Sequence, residues 1–71
     1  MSPDKLAYMA NQIGKFFAHQ PHDQAVASIN DHLVKFWDPR MRGTIITHLG
    51  EVKLDPWVKE AVERLRELRQ G

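Results

Sequence analysis

Apolar residues recur at helical spacing along nearly the whole chain, in four successive stretches. In the first, Leu6, Met9, Ile13, Phe16 and Phe17 fall on one stripe, and in the second Val26, Ile29, Leu33, Phe36 and Trp37 do likewise. The third is shorter and offers Met41, Ile45 and Leu49, with Ile46 beside them; the fourth offers Trp57, Val58, Ala61, Val62, Leu65 and Leu68. No segment alternates with period two for long. Thr44 to Thr47 is β-prone, but it is short and framed by helix signals. The pattern predicts an all-α fold, a small four-helix domain with helices at about residues 3–19, 21–37, 39–49 and 56–70.

The polar positions punctuate this pattern. Ser2-Pro3, Asp38-Pro39 and Asp55-Pro56 each pair an N-cap residue with proline at the first helical position. The cap oxygen accepts a free backbone N–H, and proline has none to leave unpaired. Pro21 is predicted to start the second helix, and Gly50, after Leu49, reads as a C-terminal stop. There is also an internal echo. Met9-x-x-x-Ile13-x-Lys15-Phe16-Phe17 and Ile29-x-x-x-Leu33-x-Lys35-Phe36-Trp37 share a spacing at an offset of 20 residues. Two copies do not make a solenoid. The expectation is that two antiparallel helices each end in an aromatic pair that plugs the same core.

Length bounds the rest. Seventy-one residues allow a single domain, 1–71, and a chain this short buries only about 60% of its unfolded surface. Domains of this size lean on disulfides, metals or partners. Cysteine is absent, which excludes disulfides and thiolate metal sites and raises the expectation of a partner protein. It also fits a reducing cytoplasm. The start, MSPDKLAYMANQIG, lacks the basic and long apolar regions of a signal peptide. No run approaches the roughly 18 apolar residues of a membrane span. Net charge is +1 with acids and bases intermixed, so the global field attracts nucleic acid only weakly.

Candidate catalytic chemistry is sparse. His19 and His22 are separated by Pro21, which breaks the register that would align them, and His32 and His48 lie on different helices without an acidic or thiolate companion at ligand spacing. Zinc needs three or four convergent ligands, so the histidines read as surface residues in ordinary solvent. Ser2 and Ser28 have no triad context, and the glycines are isolated rather than gathered in a phosphate loop. Glu60, Glu63 and Glu67 alternate with Lys59, Arg64 and Arg66, a solvated helix face in which Glu60 and Arg64 have the favourable i,i+4 order. The isolated domain is predicted not to be an enzyme.

Three features point to a contact surface instead. Arg40 and Arg42 stand in the opening turn of the third helix, where the macrodipole disfavours cations. They either meet an acidic partner, or Arg40 stacks on Trp37 or pairs with Asp38. Tyr8 projects from the side of the first helix opposite Leu6, Ile13 and Phe17. Asn11, Gln12 and Gly14 interrupt an otherwise good helix, with Gly14 costing about 1 kcal/mol against alanine. Gly14 marks a close approach, by a partner or by another helix of this domain. A small helix-turn-helix nucleic-acid binder is the rival from another class. Against it, the positive charge is not gathered on one face as a phosphate track requires.

MANQIGKFF, HLVKFWDPRMR and LDPWVKEAVERL together resemble the delta subunit of bacterial NAD-dependent formate dehydrogenases, over about Asp4 to Leu68. FWDPRMR is the specific part; LDPxVxxAxxxL alone is weak. The resemblance implies a non-catalytic accessory subunit of a cytoplasmic complex, supporting assembly, stability or cofactor retention. Such complexes oxidise formate at a molybdenum or tungsten pterin centre in the alpha subunit and pass electrons through iron–sulfur clusters to FMN and NAD in the beta and gamma subunits. This chain is expected to hold none of those cofactors. Its expected partner is the alpha subunit, with beta and gamma in the same complex, and neither nucleic acid nor membrane. Its apolar surface could support a homodimer in isolation. The partner-contact candidates are Tyr8, Asn11, Gln12, Gly14, Trp37, Asp38, Arg40 and Arg42. Of these, all but Tyr8 are motif residues, together with Pro39 and Met41.

Overall fold

A computed structural model describes residues 1–70, and side chains as far as Leu68. The element order is α1 (Pro3–Phe17), α2 (His22–Phe36), α3 (Pro39–Thr47) and α4 (Pro56–Gln70), with no strand among the described residues. The all-α expectation holds, and the proline steps explain where two helices begin. Ser2 Oγ accepts the Lys5 N–H at 3.2 Å ahead of α1, and Asp38 Oδ1 accepts the Met41 N–H at 2.8 Å ahead of α3. At Asp55-Pro56 the Asp55 carbonyl accepts the Lys59 N–H at 2.9 Å.

Four boundaries differ from the sequence reading, the smallest being that α2 ends at Phe36, with Trp37 as its C-cap. Helix α1 stops at Phe17, and Gln20 N–H donates to the Phe17 carbonyl in the turn that follows. Pro21 is the N-cap of α2, one residue ahead of the helix, and caps it with no side-chain hydrogen bond. Helix α3 ends at Thr47, with His48 as its C-cap. Gly50 is therefore not its stop. It lies in a turn that His48 organises by accepting the Glu51 and Val52 N–H groups with its carbonyl. No described glycine has positive φ, so Gly50 supplies no left-handed cap. Thr44 and Thr47 lie within α3 despite their β-propensity, and each hydroxyl donates to the carbonyl four residues back, Arg40 at 2.9 Å and Gly43 at 2.8 Å.

One core draws on all four helices: Leu6, Ala7 and Ala10 from α1, Val26, Ile29 and Leu33 from α2, Ile45 from α3, and Val58, Ala61, Val62 and Leu65 from α4, closed by Trp37 and Leu49. Helix α4 packs against all three other helices, most extensively on α2. Asn30 helps fix that pair by donating from Nδ2 to the Ala61 carbonyl at 3.1 Å.

The inward face of α1 is not the bulky stripe that its apolar spacing suggests. Leu6, Ala7, Ala10 and Gly14 are buried, Met9, Ile13 and Phe17 sit at the edge of the core, and Phe16 is 72% exposed. Small side chains let α1 come close to its neighbours, which turns the bulky flank of the helix toward the surface. Gly14 is the closest point: a Cβ there would fall on Val58 Cγ2 of α4. The two aromatic pairs do not both plug the core either. Trp37 is 5% exposed, but its neighbour Phe36 is 71% exposed. Leu68, assigned to the α4 stripe, is likewise on the surface.

Candidate functional site

The Trp37–Arg42 junction is built by the chain passing from the end of α2 into the capped start of α3. Trp37 closes the core, Asp38 caps α3, and Met41 is packed against the core from its edge. Arg42 turns back across the junction. Its Nη1 donates to the carbonyls of Trp37, of Val34 at 3.0 Å and, at the limit, of Leu33 at 3.5 Å. These carbonyls lie at the C-terminus of α2, where the dipole favours a cation, and of the three the Leu33 oxygen also accepts the Trp37 N–H at 3.1 Å. Arg42 is thus at the wrong end of α3 but at the right end of α2. Arg40 differs: it is exposed, and borders a depression with Met1, Asp38 and Thr44.

Asn11 also has an internal role. Its Nδ2 donates to the Lys53 carbonyl at 3.0 Å, and its Oδ1 accepts the Asp55 N–H at 2.9 Å. Both bonds tie α1 to the segment that leads into α4, so a side-chain amide with one donor and one acceptor edge suits the position. Tyr8 is 64% exposed and borders a groove with Asp4, Ala7, Asn11, Glu51 and Lys53. Gln12 is exposed. The eight candidates therefore do not form one patch. Trp37, Asp38, Arg40 and Arg42 share the junction, Tyr8 and Asn11 share a groove, and Gly14 lies between α1 and α4.

Two features escaped the sequence reading. The first is an aromatic strip across α1 and α2. Phe16 packs edge-on to Phe17 at 5.0 Å between centroids, Phe17 meets His32 at 6.4 Å, and His32 meets Phe36 at 4.7 Å. Its sequence signal is the i,i+4 pair His32 and Phe36, which shares a helix side.

The second is at His22, whose ring stands edge-on to Trp57 at 5.3 Å. Nε2 bonds Glu60 of α4 at 2.6 Å, and Nδ1 bonds Asp23 at 2.9 Å. The Glu60 and Asp23 hydrogen bonds raise its pKa above the ordinary 6.5. His48 likewise has an acid partner, Glu51, at 2.6 Å. These two histidines are thus paired with carboxylates, contrary to the expectation of rings in plain solvent. Glu60 lies 38 residues from His22, a distance that sequence spacing cannot bridge.

Among the described residues no group of three or more His, Asp or Glu could hold a metal ion, and no helix is long and apolar enough to cross a membrane. With no cysteine in the sequence, thiolate ligation of an iron–sulfur cluster by this chain is excluded on donor chemistry.

No curated protein and no solved structure matches the chain. A family model does: the NADH-dependent formate dehydrogenase delta subunit, FdsD, over residues 5–62. That span holds all of MANQIGKFF and HLVKFWDPRMR and most of LDPWVKEAVERL. The match runs over most of the sequence, and the chain belongs to the FdsD family of formate dehydrogenase delta subunits.

Proposed function

We propose that this chain is a non-catalytic accessory subunit that docks on the catalytic alpha subunit of a cytoplasmic NAD-dependent formate dehydrogenase. There it supports assembly, stability or cofactor retention. The family match over residues 5–62 carries the reading. The small core and the donor set of the chain agree with it. Formate oxidation at a molybdenum or tungsten pterin, and electron transfer through iron–sulfur clusters to FMN and NAD, are assigned to the alpha, beta and gamma subunits.

The physical contribution of such a subunit is binding energy. A chain that binds the folded, loaded partner and not its unfolded form stabilises it by mass action, by about 2.7 kcal/mol at a concentration of about 100 times Kd. That amount would change the loaded fraction substantially without any group of this chain touching substrate.

Expressing the complex with and without this chain tests the proposal. Metal content per alpha subunit and formate turnover per metal are the two readouts. The expected result is a lower yield of loaded enzyme with turnover per metal preserved. Unchanged yield and loading without the chain would remove the supporting role, and collapse of turnover per loaded site would assign it a catalytic one.

A further inference from the structure

His22 is bonded at both ring nitrogens, and both partners are carboxylates: Asp23 on Nδ1 at 2.9 Å and Glu60 of α4 on Nε2 at 2.6 Å. An ionised carboxylate only accepts hydrogen bonds, and a neutral imidazole has a single N–H. Only the imidazolium can therefore make both bonds at once. The two carboxylates in turn raise the pKa of the ring above 6.5, Glu60 first and Asp23 second.

Neither carboxylate has another fixed cation: among the described residues no lysine or arginine forms an ion pair with Asp23 or Glu60. Lys59, Glu63 and Arg64 flank Glu60 along α4. Lys15 and Asp55 line the groove that Trp57 borders, and His19, on the turn before α2, is bonded to the Phe16 carbonyl. Loss of the ring proton thus leaves two carboxylates around a ring that can serve one of them. If Nδ1 keeps its hydrogen, the bond to Glu60 is lost. If Nε2 keeps it, that bond loses the charge that strengthens it. In either tautomer the tie between α2 and α4 weakens.

That tie has local consequences. Pro21 caps α2 with no side-chain hydrogen bond. The first turn of the helix is held by the Ala25 N–H on the Pro21 carbonyl, at 2.8 Å, and by the His22 clasp. The residue before it, Gln20, is anchored separately by accepting the Ser28 hydroxyl at 2.9 Å. The His22 ring also stands edge-on to Trp57, which walls the groove between α1 and α4 with Gly14, Ala18 and Pro56.

We infer that Asp23, His22 and Glu60 form a proton-dependent latch. While His22 is an imidazolium it holds the first turn of α2 to α4 and fixes the Trp57 ring, and when the ring becomes neutral it releases both. The latch is closed below pH 6.5 and opens as pH rises through the higher folded-state value. It is a property of the free chain and does not depend on the docked-subunit reading.

An NMR titration of the full chain over about pH 5.5 to 9, above the ordinary carboxylate range, tests the latch. The His22 ring signals should titrate with a midpoint above 6.5, and the Trp57 indole signal should follow the same curve. Amide exchange at Ala25 reports the opening. Its protection, corrected for the intrinsic pH dependence of exchange, should fall roughly two- to fivefold across that midpoint, as loss of an exposed ion pair allows. The Arg42 amide, bonded to the Asp38 carbonyl at the start of α3, should keep its protection. In Glu60→Gln the His22 midpoint should return toward 6.5 and Ala25 should no longer respond. His48→Gln, at the other histidine–carboxylate pair, should leave the His22 and Ala25 curves as in the parent.

Constant protection at Ala25 through the His22 midpoint overturns the latch, because a changed charge beside the indole would by itself move only the Trp57 signal. An equal fall at Arg42 overturns a local release. A His22 midpoint that is the same in the parent and in Glu60→Gln overturns the clasp to α4 as its cause.

Discussion

Phe36 and Trp37 are adjacent, yet they belong to regions with opposite roles. Trp37 opens a junction in which nearly every special residue is satisfied within the chain. Its ring closes the core, Asp38 caps α3, and Arg42 caps α2. Phe36 ends a strip in which aromatic rings touch one another and solvent. The junction is the more distinctive in sequence because folding constrains it at several atoms at once. The strip is plainer in sequence, and it has surface left over. A conspicuous motif can thus be spent on architecture while ordinary phenylalanines stay exposed.

The largest break in this comparison comes from the junction. Trp37→Ala should cost about 3–5 kcal/mol, the usual range for emptying a core aromatic site, and chemical denaturation would show it. Gly14→Ala should come next, at about 1–3 kcal/mol, as overpacking does. The gain in helix propensity is outweighed because Val58, which the new methyl meets, is buried and stiff about χ1. Adding Val58→Ala should return part of that loss, a coupling that a double-mutant cycle reads directly.

Arg42→Gln should cost about 1–2 kcal/mol, since it removes charged hydrogen bonds to the end of α2. Arg40→Gln, two positions away, should stay within about 0.5 kcal/mol, as surface substitutions do. Equal effects at Arg40 and Arg42 would break the distinction drawn between them.

The smallest effect is a pH dependence at His22. Its pKa is raised by Glu60 and Asp23 in the folded state, so the folded state binds the proton more tightly than the unfolded chain. The stabilisation is fully present below the ordinary value of 6.5 and is lost as pH rises through the higher folded value. Melting temperature followed across that window should fall more steeply with pH in the parent than in His22→Gln. Parallel curves would show that the clasp to α4 contributes nothing.

Much of the fold was legible because its signals are local. Ser2-Pro3 and Asp38-Pro39 announce helix starts within a few residues, and Ile29, Leu33 and Ile45 are apolar where the period puts them inside. The misreadings share a cause. Ala7, Ala10 and Gly14 carry little apolar bulk, so the stripe drawn from large residues on α1 was rotated from the buried face. Close approach, which those small residues permit, is decided by another helix. Arg42 was misplaced for a similar reason: its charge was weighed against the dipole of its own helix, while its acceptors lie on the preceding one. The aromatic strip needed α1 and α2 side by side before Phe17 could be seen to meet His32.

Side-chain footprinting by hydroxyl radicals on the free chain tests the division of labour most directly. Phe16 and Phe36 should be oxidised and Trp37 spared. A Trp37 oxidised as readily as Phe36 would contradict the account.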